Sequence, residues 1–166
     1  MRKIFFILLS FYTSFSFAQG LTNFDSIKLE NASDCKAAEP YALEASNYIF
    51  STPFHKDDIN RLKSLQFIIK WMSATPDYQF ALDEVASKLL KGSDDLLGLY
   101  MAGMTKYVLE NPGNAGDAKA VKLNAITILL NYSDNPANNV KSTKNLKKLS
   151  EAKAKGQLEQ ALESGK

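Results

Sequence analysis

The sequence predicts an all-α fold, a compact bundle of about five to six helices. Three observations lead there. Apolar residues recur at helical spacing in successive segments after residue 33. Capping residues stand before those segments, and proline or glycine stands after them. The one stretch with a two-residue period, Tyr78, Phe80 and Leu82, has no second strand to pair with, so it reads as an extended connector burying its apolar side.

In chain order, residues 1–18 read as a secretory signal peptide. Arg2 and Lys3 form its charged start, Ile4 to Leu9 its apolar middle, and Ser16-Phe17-Ala18 its cleavage site. The mature chain then begins at Gln19. The leader's apolar run falls short of the roughly 20 residues that span a bilayer, and no later run reaches that length. The expected location is therefore periplasmic or secreted, with no stable membrane insertion after cleavage. Residues 19–32 carry scattered Leu21, Phe24, Ile27 and Leu29 and read as an N-terminal arm on the body.

Residues 33–139 hold the helical core. Ser33-Asp34 is a cap and Pro40 sits in a first turn, giving a helix to about Phe50 with Tyr41, Leu43, Ile49 and Phe50 facing inward. Ser51-Thr52-Pro53 stops it. Asp57 and Asp58 then start RLKSLQFIIKWM, residues 61–72, which ends before Pro76. Leu62, Leu65, Ile68, Ile69 and Met72 form a stripe, which Phe67 and Trp71 widen to roughly 220° at about 100° per residue. A stripe so wide predicts cover on two sides and a central place in the fold, with Trp71 in the core.

Asp83 caps a helix through Val85, Leu89 and Leu90 that ends at Gly92. Ser93, with Asp94 and Asp95 in the first turn, opens the next. Its broad stripe runs through Leu96, Leu97, Tyr100, Met101, Met104, Tyr107 and Val108, while Gly98, Ala102 and Gly103 permit close helix approach on another side. Asp117 starts a helix to Tyr132 whose Val121, Leu123, Ile126, Ile128, Leu129 and Leu130 point nearly all round, predicting an interior element packed on residues 61–72.

Residues 140–166 form a basic, peripheral helical tail with a thin apolar stripe. Leu146 and Leu149 share one face and Leu158 and Leu162 another, with the change of phase near Gly156, so two half-helices are expected. Seven lysines oppose three glutamates from Pro136 onward. Lys144, Lys147 and Lys148 are therefore candidates for contact with an acidic partner.

Helix-ending prolines 53, 76, 112 and 136 are 23, 36 and 24 residues apart. The two segments VLENPGN and NYSDNPAN look like the helix end of a tetratricopeptide repeat, but the period is not constant. Helical-hairpin packing of that kind is thus a variant of the predicted bundle. The stretches LQFIIKWMSATPDY and KGSDDLLGLYMAGMTKYVLEN resemble a group of uncharacterised small exported all-helical proteins of the Bacteroidota. That resemblance implies an envelope or secreted location and supplies no activity.

Charge and chemistry narrow the function. Arg2 and Lys3 account for the whole excess of 20 Lys and Arg over 18 Asp and Glu, so the mature chain is neutral and no nucleic-acid partner is expected. One cysteine, Cys35, excludes an internal disulfide; a buried or unpaired thiol is expected. One histidine, His55, leaves too few ligands for zinc and no evident Cys–His or Ser–His site. Neither a phosphate loop nor an EF-hand is present. No metal or cofactor is expected. The paired acids Asp57-Asp58, Asp83-Glu84 and Asp94-Asp95 sit at helix starts, where capping accounts for them. The sequence thus reads as a non-enzymatic binding or scaffold protein of the cell envelope, with an envelope protein as its partner. A small hydrolase built on distant carboxylates is the alternative. Tyr78, Tyr100 and Tyr107 are candidates for lining a groove, although core packing with the hydroxyl at the rim also explains them. N-terminal sequencing of the protein from its native host should begin at Gln19; a retained Met1 would overturn the export reading.

Overall fold

Caps legible in the sequence start most helices of the computed structural model, which describes residues 21–82 and 93–163. Asn31 accepts from the Asp34 N–H ahead of α1 (Ala32–Ala37). This cap lies two residues before Ser33. Pro40 then divides the first expected helix, because it lacks an N–H and its ring crowds the carbonyl four residues back. The second piece, α2, spans Glu39–Ser51 with Pro40 in its first turn. Asp58 accepts from the Asn60 and Arg61 N–H groups to open α3 (Ile59–Ala74). Ser93 opens α4 (Asp94–Glu110), and Asp117 opens α5 (Ala118–Ser133). Thr143 caps α6 (Lys144–Ala154), which α7 (Leu158–Glu163) follows. No strand occurs among the described residues, so the all-α bundle is as predicted. The helix expected over residues 83–92, and the leader, lie outside the described residues.

The centre of the bundle is α4. Helices α2, α3 and α5 all pack against it. Its burial runs nearly all round, from Leu96, Leu99 and Tyr100 to Ala102, Met104 and Val108. The reason is compositional: no charged residue stands between Asp95 and Lys106. This corrects the expectation that residues 61–72 are central and sandwiched against α5. Helix α3 packs mainly on α2, and α5 mainly on α4.

The buried face of α3 is also rotated from the expected stripe. Arg61, Ser64, Phe67, Ile68 and Trp71 face inward. Leu62 is 50% exposed and Ile69 40% exposed. Trp71 is fully buried as expected, its indole N–H donating to the Cys35 carbonyl at 3.0 Å. Phe24 of the N-terminal arm stacks on Phe67 at 4.8 Å, so one flank of α3 is covered by the arm. In α2 the inward face is made of Ala42, Ala45, Ser46 and Ile49, while Tyr41 is exposed. Small residues win there because they let α2 approach α3 and α4 closely. Helix α5 buries one side only, with Leu123 and Ile128 half-covered. Its Lys122, Asn124, Thr127 and Asn131 occupy the outer surface between the apolar positions.

Cys35 is a free, buried cysteine. Burial pushes its thiol up, and the nearby Asp34 and Asp77 charges push the same way, so the reactive thiolate is disfavoured.

The connector 77–82 has no regular structure and lays Tyr78 and Phe80 over Trp71, at 5.6 and 6.0 Å between ring centres. Leu82 turns outward. The tail divides as expected: Gly156 takes φ 68°, a left-handed conformation that glycine adopts without a Cβ clash. Leu146, Leu158 and Leu162 are buried, and α6 and α7 both rest on α5. Lys153 and Ser150 hydrogen-bond to Asp134 at the end of α5, both at 2.7 Å. Burial raises the Asp134 pKa, but these hydrogen bonds and the Lys153 charge outweigh it and hold the carboxyl below its ordinary range.

Two glycines set the helix spacings around α4. A Cβ on Gly103 would lie 2.9 Å from the Ala125 carbonyl oxygen and 3.3 Å from its Cα, both backbone. A Cβ on Gly98 would meet only the Leu65 side chain, with Cδ2 at 2.8 Å. Gly103→Ala should therefore destabilise the fold by about 1–3 kcal/mol despite alanine's better helix propensity. Gly98→Ala should be near neutral, because the Leu65 tip can turn aside. Urea unfolding of both variants measures the contrast; equal stabilities would refute the backbone-contact account.

Candidate functional site

The turn after α2 and the first turn of α4 face one another across a cleft. Its outer lobe, about 520 Å³, is lined by Phe54, His55, Lys56, Ser93, Asp94, Asp95, Asn139 and Lys141. Its inner lobe, about 290 Å³, shares Phe54, His55, Lys56, Asp94 and Asp95 and adds an apolar floor of Ile49, Leu62, Leu65, Gly98 and Leu99, together with Arg61. Gly98 lines the inner lobe beside Leu65, whose side chain fills the space that a Cβ at Gly98 would take.

Local structure fixes both walls. Pro53 ends α2, and the Phe54 N–H donates to the Asn138 carbonyl at 2.9 Å, tying the turn to the 3-10 segment Pro136–Asn138. The Asp58 N–H donates to the His55 carbonyl at 3.2 Å, and the Tyr48 hydroxyl donates to the Asp58 carboxylate at 3.0 Å. On the other wall the Ser93 hydroxyl oxygen accepts from the Asp95 N–H at 3.2 Å. Lys56 and Asp95 form a loose ion pair at 3.9 Å across the mouth. An exposed pair of this kind contributes less than about 1 kcal/mol.

Arg61 is the unusual member. It is 6% exposed, and among the described residues no carboxylate pairs with its guanidinium. Nη2 instead donates to the Ile49 carbonyl at 2.8 Å, the Thr52 carbonyl at 3.1 Å and the Tyr132 hydroxyl. The Tyr132 hydroxyl in turn donates to the Thr52 carbonyl at 2.7 Å. The Phe54 and Tyr132 rings lie 5.2 and 5.6 Å from the guanidinium carbon, within cation–π range. Nε is buried and donates to no protein acceptor. Burial raises the Tyr132 pKa above the ordinary tyrosine value, although the Arg61 charge and hydrogen bond pull it down.

The expected binding residues do not share this cleft. Tyr78 lies on Trp71, and its hydroxyl donates to Glu39 at 3.0 Å. Tyr100 is buried and lines a separate cavity of about 110 Å³ with Gln79, Ala81, Met104 and Val121. Tyr107 is half-buried near the end of α4. Lys144, Lys147 and Lys148 are exposed on α6. The three tyrosines are buried or half-buried, the three lysines are exposed, and none of the six lines the cleft.

Conversely, the cleft gathers His55, Asp94 and Asp95, residues that sequence reasoning assigned to a connector and to capping. Ser93 does cap α4, with Asp94 and Asp95 in its first turn, and all three also reach the cleft. Among the described residues, no hydrogen bond joins His55 to Ser93 or to either aspartate, so a nucleophile–base–acid chain is not assembled there. No group of three or more His, Cys, Asp or Glu suited to a metal ion occurs among them. A signal for the cleft did exist in the sequence: Arg61 stands seven residues before Ile68, on the same face of the helix.

Comparison with known proteins finds no matching family model, no matching curated protein and no matching solved structure. The cleft's own chemistry therefore carries the functional reading. Tyr132→Phe keeps the ring and deletes the hydroxyl, leaving Arg61 and the Thr52 carbonyl each one partner short. It should cost about 1–3 kcal/mol in urea unfolding. The loss should be largest below the ordinary tyrosine range and shrink as pH rises through it, because the raised folded-state pKa favours the protonated hydroxyl.

Proposed function

We propose that this protein is an exported, non-catalytic binding module of the cell envelope, and that the cleft at the start of α3 and α4 is its binding surface. One observation carries this reading: Ile59, Leu62 and Ile69 remain in water along α3, 66%, 50% and 40% exposed, and Leu62 continues into the cleft floor. These residues recur at spacings of three and seven, so they form one outward strip. Fully burying such a side chain is worth roughly 1.5–3 kcal/mol, and folding of the chain alone leaves about half of that gain unused at these positions. An apolar strip bordered by charged groups is the usual anatomy of a recognition surface. Lys70 and Lys63, the latter paired with Asp25 at 3.1 Å, flank it and α3 itself contains no acid, which favours an envelope protein presenting apolar and acidic side chains. The export leader and the resemblance to exported Bacteroidota proteins support the location.

The small carboxylate-based hydrolase keeps one observation in its favour, since Asp94, Asp95 and His55 line the same space. Against it, successive helical residues point about 100° apart, so the two aspartates do not form a facing acid–base pair.

The test is native pull-down from envelope extract with three forms of the mature chain: wild type, Leu62→Asp, and the triple variant Lys144→Glu/Lys147→Glu/Lys148→Glu. Partner recovery should be lost with Leu62→Asp and kept with the tail variant. Equal recovery by the wild type and Leu62→Asp would remove the cleft from the account, and loss with the tail variant alone would move the surface to α6.

A further inference from the structure

We infer that the inner lobe of the cleft receives a carboxylate carried on an apolar group, with Arg61 as the residue that binds the anion. The inference rests on the binding reading above and names the chemistry of what enters. A buried cation needs compensation, and the structure supplies only part of it. The Ile49 and Thr52 carbonyls that receive Nη2 belong to the C-terminal end of α2. The end of a helix carries roughly half a negative elementary charge. The remaining positive charge has no carboxylate partner among the described residues, only the rings of Phe54 and Tyr132 at 5.2 and 5.6 Å from the guanidinium carbon.

The donors are likewise half used. All three protein hydrogen bonds leave from Nη2, Nε is buried without an acceptor, and Arg61 is among the residues that line the inner lobe. Guanidinium recognises carboxylate through charge-assisted hydrogen bonds, which are about twice as strong as neutral ones. The rest of the lobe is apolar: Ile49, Leu62, Leu65 and Leu99 give no polar side-chain group to a ligand. Its volume of about 290 Å³ suits a small molecule or the last residues of a partner chain. Asp94 and Asp95 also line this lobe and repel an anion, an effect that the Lys56 partner of Asp95 offsets only in part. An acid head against Arg61 with its chain along Leu62 and Leu65 satisfies the other constraints.

Two sources share that chemistry: a free medium-chain fatty acid, and the C-terminal carboxylate of a peptide ending in an apolar residue. The experiment titrates the full mature chain with octanoate, octanamide, N-acetyl-Ala-Leu and its C-terminal amide, followed by calorimetry and backbone amide chemical shifts. At least one acid should bind, with shifts at residues of the inner lobe, and its neutral amide should bind about tenfold or more weakly. Whichever acid binds identifies the source. Because Arg61 also holds α2 and α5, Arg61→Lys is read only alongside its thermal unfolding. Leu62→Asp, at a half-exposed position, keeps the fold and should weaken the acid by about tenfold through repulsion and lost apolar contact. Amides that bind as tightly as the acids, or acids that fail to bind at millimolar concentration, overturn the inference. If they do so while pull-down stays sensitive to Leu62, the binding reading survives and only the carboxylate chemistry falls.

Discussion

The close approach of α4 to α5 at Gly103 is the constraint on which the bundle depends. A side chain at that position would strike the backbone of Ala125, and backbone cannot turn aside as a side-chain tip can. Three helices pack around α4, so its distance from each neighbour limits the placement of the others. Ala102, fully buried on the same helix, extends the small-residue surface. The cost in helix propensity, about 1 kcal/mol for a glycine, is offset by the tightly packed apolar surface that it permits.

Arg61 is the second organising feature, and it works across elements rather than within one. Its guanidinium joins the end of α2, the Thr52 turn and the far end of α5 through Tyr132. The same residue walls the cleft. A buried arginine held by carbonyls, a phenol and two aromatic rings is firmly placed yet electrostatically incomplete. Its Nη2 serves the fold, and its Nε is buried with no protein acceptor.

The tail is tied to the body by different means. Leu146, Leu158 and Leu162 supply a thin apolar contact with α5, and Lys153 and Ser150 close on Asp134. Lys119 and Glu163 pair at 2.6 Å near the end of α7. These partners are exposed, so each adds little singly. The leucines decide the docking, and the charged contacts set its register.

The sequence by itself determined the helical class and most helix starts. Asp58, Ser93, Thr143 and Asp117 cap through hydrogen bonds reaching two or three residues along the chain, and Pro40, Pro53 and Gly156 act through their own backbone geometry. Such interactions are local and can be read locally, as could the burial of Trp71. What tertiary structure decided was the rotation of each helix about its axis and the identity of the central one. Apolar count placed Leu62 and Ile69 inside, whereas packing against α2 and α4 turned Arg61 and Ser64 inward and left those two in water. The cleft was hidden for the same reason, since its walls come from residues about 40 positions apart in sequence. Periodicity shows that a helix has an apolar side, but only the neighbours that arrive from elsewhere in the chain choose which part of it becomes core.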